Sequence, residues 1–316
     1  MTGTRVQGIG TERADEPDPS RRAVLSVILG AVIISFSPIF VRVAHVEPMA
    51  AGFYRTFIGG LALLIYVGLR REAFWRGLGP LGFGLICGFV FAADLRLWHR
   101  AIAYVGPGLA TILGNFQVFL LAAFGILVHR ERPGWRYLVS VPLALVGLFL
   151  LVGMDWSRLG SEARRGVFFG LATAVAYATY VLVFQRSQRA RVRLTPAASL
   201  MTISFACAFV MALGVLAEGT FRIPDGRSWA SMIGYGVLCQ ALGWILISRG
   251  LLHIPASKAG LILLLQPTLS FLWDILFFGR PTDRWEWLGA AVALGAIYLG
   301  SARPARRTPR LRRAER

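Results

Sequence analysis

The sequence predicts an all-α polytopic membrane protein, with ten transmembrane helices arranged as two inverted five-helix repeats. Three observations predict it. The 316 residues are 56% hydrophobic and only 16% charged, with a mean hydropathy of +0.60, whereas soluble chains carry roughly 25% charged residues. The charges crowd into short separators between apolar stretches of about 20 residues, the length that crosses a hydrocarbon core. The chain also echoes itself: Arg100, Gln117, Arg132-Pro133 and Gly147 recur as Arg249, Gln266, Arg280-Pro281 and Gly295, at a spacing of 149 residues that falls to 148 after the Arg-Pro turn.

Residues 1–22 are polar, with Pro17 and Pro19, and read as a disordered cytoplasmic leader. Spans then follow at 23–41 and 49–69, separated by Glu47-Pro48, and at 80–102 after the turn residues Gly77 to Pro80. Gly106-Pro107 ends the third span and opens the fourth, 107–129, and Arg132-Pro133-Gly134 precedes the fifth, 135–153. The second half opens at 165–185, and Thr195-Pro196 introduces 197–217. Pro224-Asp225-Gly226 precedes 229–251, Pro255 precedes 256–278, and Arg280-Pro281 precedes 285–302. Separators this short make sequential helices antiparallel. The first repeat is thus 23–153, the second 165–302, and 303–316 is a basic cytoplasmic tail with seven arginines.

Orientation follows from the basic residues. With the N-terminus inside, 23 Arg and Lys fall on the cytoplasmic side against 10 outside, so both termini are expected in the cytoplasm. The loop from Asp155 to Arg165 runs against this, with three arginines outside. Five spans per half is an odd number, so the second copy enters from the opposite side. Inverted halves that can exchange conformations are the usual basis of alternating access.

The net charge of +18 does not point to nucleic acid, because no folded soluble module remains once the spans are removed. The tail reads as a topology signal and an anchor to anionic membrane lipids. Cys87, Cys207 and Cys239 lie within apolar segments without paired spacing, so neither a disulfide framework nor a metal site is expected. No phosphate-cradling Gly-Lys-Ser/Thr loop or His-Glu-x-x-His motif occurs, so neither a cofactor nor nucleotide hydrolysis is expected, and an ion or substrate gradient is the expected energy source.

Several segments resemble the EamA family of the drug/metabolite transporter superfamily. They are Ser35 to Leu64, with Ser37-Pro38 and Phe53-Tyr54-Arg55; Gly114 to Phe119 closing on Glu131-Arg132-Pro133; Gly170 to Tyr180; and Leu265 to Leu269 closing on Gly279-Arg280-Pro281. The resemblance covers about residues 22–302. It implies a ten-helix secondary carrier with a central cavity lined by both halves, acting on amino acids, metabolites or drugs, and in the direction of export. Arg280 stands where the family pattern has an acid, whereas Glu131 keeps it in the first half. An intramembrane enzyme acting on lipid-linked substrates and a channel are the rival readings.

Polar and ionisable groups inside spans are costly and so mark candidate sites. In the ninth span Lys258, Gln266, Ser270 and Asp274 fall largely on steps of four, the first and last about 24 Å apart by helical rise. Lys258 suits an anionic group near one mouth, and Asp274 a proton or cation near the other. Snorkelling and interfacial placement are the plain alternatives. Asn115 and Gln117 are polar positions of the fourth span, Gln117 being the repeat partner of Gln266 and equally able to join helices. Asp94 and His99 sit in a charge cluster with Arg96 and Arg100, a candidate for proton or ion coupling unless the third span ends there. Tyr177 and Trp244 can stack on substrate or simply pack. Arg55 reads as a headgroup anchor. Pro38 and Pro267 remove a backbone hydrogen bond within a span and so serve as hinges. Substrate identity and oligomeric state have no signature here. The repeats differ where Lys258 falls opposite Leu109 and Gly243 opposite Asp94, so substrate choice is expected to lie at such breaks.

Overall fold

The computed structural model describes residues 19–152, 162–279 and 282–301, and every regular element in them is helical. The first span is two helices, α1 (Pro19–Ser35) and α2 (Ser37–Val43). Pro38 cannot donate to the carbonyl of Ile34, and the Ser37 hydroxyl donates to that carbonyl instead, at 2.6 Å. Because α1 starts at Pro19, the last residues assigned to the leader are helical. Residues 1–18, the tail 303–316 and most of the loop from Asp155 lie outside the described residues.

The second span is α3 (Pro48–Leu69). The third and fourth differ from expectation, because Leu78–Asn115 is a single run of helical residues, α4, with no irregular loop at Gly106-Pro107. The chain nevertheless reverses there. Its first limb descends the sixth span, with Phe91 stacked on Tyr180 at 5.2 Å, Tyr104 on Phe169 at 5.8 Å and Val105 against Gly166. Its second limb climbs back along the same helix, with Leu113 against Gly170 and Gly114 against Thr173. The fourth span then breaks at Phe116 and continues as α5 (Gln117–Leu127). No proline causes this break; the Asn115 amide donates to the carbonyl of Thr111 at 2.8 Å and so competes with the helix ladder.

The fifth span is α6 (Trp135–Val152), the sixth α7 (Ala163–Arg189) and the seventh α8 (Pro196–Glu218), capped by Thr195, whose hydroxyl accepts from the Ala198 amide. The eighth is α9 (Gly226–Gly234), a π-helical stretch Tyr235–Gly243, and α10 (Trp244–Leu251). The ninth is α11 (Ala256–Leu263) and α12 (Leu265–Phe278), broken at Leu264 three residues before Pro267. The tenth is α13 (Arg284–Ser301). Eight of these segments are long and apolar enough to cross a membrane, α6 supplies a shorter apolar helix, and α13 packs along α6 to complete the ten.

The packing has the symmetry of two inverted repeats. Spans two and seven (α3, α8), four and nine (α5, α11), and five and ten (α6, α13) pair with their own counterparts. The remaining major contacts come in mates. α4 packs on α7 as α10 packs on α1, α4 on α8 as the π-helical stretch on α3, and α5 on α7 as α12 on α1. One difference stands out. The halves of spans four and nine nearest Glu131 are joined through α5 and α11, but among the described residues no comparable contact joins α12 to α4 at the opposite end.

Small residues permit the close crossings. A Cβ on Gly147 would lie 2.5 Å from the backbone nitrogen of Ala293 and 2.8 Å from the Gly289 carbonyl, so α6 and α13 touch backbone to backbone. Gly147→Val is expected to cost about 1–3 kcal/mol by overpacking, read as a lowered melting temperature in detergent. Gly295, its echo in the second repeat, has open space around it and should tolerate alanine.

Candidate functional site

Polar groups from spans two, three, six, seven, eight and nine converge inside the bundle. Arg55 on α3 is 8% exposed and Asp94 on α4 is 7% exposed. The Arg55 Nε donates to the Gln240 Oε1 at 2.9 Å, and its Nη1 donates to the Tyr235 hydroxyl at 3.1 Å. The Gln240 Nε2 in turn donates to the Ser204 hydroxyl of α8 at 3.1 Å. The π-helical stretch makes this possible, because its wider turn brings Tyr235 and Gln240 together onto α3. The guanidinium also lies 5.0 Å from the Tyr235 ring centre and 5.7 Å from that of Phe91, within cation–π range.

Asp94 lies within electrostatic range of Arg55, Tyr177 and Cys207. No hydrogen bond or ion pair reaches it among the described residues, and its Oδ1 is buried without a partner. Phe91, three residues before it on α4, belongs to a cluster of rings with Tyr177, Tyr180 and Trp244, in which Tyr180 and Trp244 meet edge to face at 5.2 Å. Tyr177 also lies near Gln266. The Trp244 Nε1, Gln266 Nε2, Gln117 Oε1 and Thr173 Oγ1 are also buried without partners. Such groups are rare in folded proteins and cluster where function requires them.

The structure thus brings Asp94, Tyr177, Trp244 and Gln266 together. Gln117 opens α5 just after the break in the fourth span, as Gln266 follows the break in the ninth. Asn115 is occupied by its own helix. His99 lies further along α4, with its Nδ1 buried and unpartnered and its ring against Trp98. The third span therefore does not end at Asp94, and both Asp94 and His99 lie within helix.

The ninth-span series is divided. Lys258 lies on α11, half-buried beside Ser257, and the break at Leu264 separates it from the other three. Ser270 donates to the carbonyls of Ser35 and Gln266, both at 2.8 Å. Trp273 donates to the Ser35 hydroxyl and stacks on Phe36 at 4.6 Å. Asp274 pairs with Arg42, whose guanidinium also covers Phe278 at 4.2 Å. These contacts clasp α12 to the first span on both sides of its break, next to Pro38. The ion pair is 56% and 30% exposed at its two side chains, so Asp274→Asn is expected to change stability by less than about 1 kcal/mol, measured by thermal melting at low and high salt. At the other end the Ser257 hydroxyl donates to the Glu131 carboxylate at 2.5 Å, and the Tyr137 hydroxyl donates to the Ser257 carbonyl at 3.0 Å. Arg280, the echo of Arg132, lies outside the described residues.

Arg55 is the principal correction. It is not a headgroup anchor but the hub of the buried network, because the π-helical stretch supplies acceptors at its depth. A lone cation inside an apolar span was the available signal; Gln240 and Tyr235 offered none, since a π-helix has no clear sequence pattern.

The resemblance is borne out: residues 21–153 and 164–302 each match the EamA-like transporter family, and the chain belongs to it. An uncharacterized transporter of Archaeoglobus fulgidus is 25% identical over 87% of this chain and 94% of its own length. A UDP-N-acetylglucosamine transporter of Arabidopsis thaliana is 20% identical over 73% and 74% of the two chains. A protein of known crystal structure superposes with a TM-score of 0.77 at 18% identity, covering 88% of this chain and 98% of that one. The chain is a multi-pass membrane transporter of two EamA repeats.

Proposed function

We propose that this protein is a secondary transporter that exports small organic metabolites, amino-acid-like or drug-like, across a bacterial cytoplasmic membrane by alternating access. The observation that carries the reading is the buried, under-satisfied polar centre where both repeats meet, flanked by broken helices in spans four and nine. Secondary carriers hold substrate at midplane sites of this kind between repeats. The unequal packing of spans four and nine at their two ends supports a conformer open at one side. A channel would instead line a continuous polar path, and an intramembrane enzyme would gather acid and base groups at one leaflet. Export rests on the family resemblance, and the cytoplasmic placement of both termini on the charge count. Asp94 is the proposed site of proton coupling, with Arg55, Tyr177 and Cys207 within electrostatic range of it, and His99 is a further candidate. A buried carboxylate disfavours a polyanion, so the substrate of the Arabidopsis relative is not carried over. Counterflow in proteoliposomes tests the proposal. Saturable exchange supports it, whereas chemical conversion without flux, or flux without saturation, overturns it.

A further inference from the structure

The geometry points to a binding site for an anionic phospholipid where α4 reverses and α7 begins. The phosphate sits on Arg100, Arg164 and Arg165, and the glycerol and upper acyl chains lie on Tyr104, Phe168 and Phe169. A cavity of about 530 Å³ opens there, lined by Tyr104, Phe168, Phe169 and the two arginines of α7, a size ordinary for ligand sites. Its wall is pre-formed. Tyr104 stacks on Phe169 at 5.8 Å, Phe168 meets Phe169 edge to face at 5.8 Å, and the Arg100 guanidinium lies 5.8 Å from the Phe169 ring centre. Beside the rings, Val105 packs against Gly166 where a Cβ would not fit. The site thus joins the first repeat to the second, yet shares no residue with the buried centre around Arg55.

The charges of this corner require an anion. Arg164 and Arg165 occupy the first turn of α7, which holds no acid, and the Glu162 side chain does not cap the helix. Two cations at the positive end of a helix dipole are unfavourable without a counter-charge. Glu162 supplies one by pairing with Arg165 at 3.0 Å, but among the described residues neither Arg100 nor Arg164 forms an ion pair. All three arginines also fall on the side of the membrane where the charge count expects few basic residues. Topology therefore does not explain them. Guanidinium forks suit a phosphodiester, which they bind through paired hydrogen bonds. Phe168, 67% exposed, and Tyr104, 40% exposed, give the same crevice an apolar floor. A soluble phosphate leaves that floor wet, whereas a phospholipid covers it. A choline headgroup would set its own cation against the arginines, so the site selects a lipid of net negative charge.

The test uses the full chain in dodecyl maltoside micelles and follows the modification of each arginine by phenylglyoxal, located by peptide mass spectrometry. Dioleoylphosphatidylglycerol is expected to slow modification of Arg164 and Arg165 at least fivefold, and dioleoylphosphatidylcholine or glycerol phosphate less than twofold. Arg227, an exposed arginine at the start of α9, is the reference and should change less than twofold throughout. Phe168→Ser and Arg100→Gln, both at exposed positions, should each raise the phosphatidylglycerol concentration needed for protection at least fivefold. Equal protection by phosphatidylcholine, or equal slowing at Arg227, overturns the site in favour of a general micelle effect. Equal protection by glycerol phosphate overturns the lipid and assigns the crevice to a soluble phosphate compound. Unchanged protection in both variants overturns the placement of phosphate and chain. The wild-type comparison stands even where a variant fails to fold, and none of these readouts depends on transport.

Discussion

Oxidation of a Leu121→Cys/Gly260→Cys variant is expected to abolish counterflow, and a reductant to restore it. The two positions lie where α5 crosses α11. A Cβ built on Gly260 falls 3.4 Å from the Cβ of Leu121, close to the separation a disulfide requires. The native Cys87, Cys207 and Cys239 are buried and unpaired, and they are replaced by alanine so that only the new pair reacts. If substrate leaves on the Glu131 side, α5 and α11 must part there, and the covalent link holds the protein in one conformer. Flux is expected to fall at least twentyfold, with the cross-linked fraction read by mobility of a protease-split chain. Full transport by fully cross-linked protein would mean that these halves never separate and would remove alternating access through this seam. Oxidised single-cysteine variants supply the control, because they carry the same side-chain changes without the bond.

The seam shows what could and could not be read from the residues. Ten spans, their parity and the pairing of Gln117 with Gln266 follow from apolar length and internal echo, since bilayer thickness constrains both. Pro38 and Pro267 marked two of the breaks for the same reason that proline breaks any helix. The break at Phe116 had no such marker, because it depends on the Asn115 amide turning back onto the Thr111 carbonyl. The reversal inside α4 was expected as a loop at Gly106-Pro107, yet no irregular residue separates its two limbs. Asp94, Tyr177, Trp244 and Gln266 were recognisable as polar or aromatic groups in spans. Their convergence was not, since it depends on the rotation of each helix about its axis. Ser270 and Asp274 look equally promising in one dimension, but the structure spends them on holding α12 to the first span. The Gly147 and Gly295 echo is similarly unequal, with backbone contact at only the first.

Arg55→Leu is expected to destabilise the protein by about 3–5 kcal/mol, the usual cost of removing one member of a buried charged network. Three groups lose compensation together: the Gln240 amide oxygen and the Tyr235 hydroxyl lose their donor, and Asp94 loses the opposing charge it senses. Adding Asp94→Asn removes the uncompensated carboxylate, so the double variant should recover about 1–2 kcal/mol relative to Arg55→Leu alone. Transport should not recover with it, because the double variant lacks both charged groups of the proposed central site. The measurement is a double-mutant cycle of melting temperature in detergent beside counterflow in proteoliposomes. Stability returning together with flux would reduce Arg55 and Asp94 to mutual charge compensation and move the substrate elsewhere. Stability returning without flux separates the two roles, and ties the buried charges to the transported solute rather than to the fold.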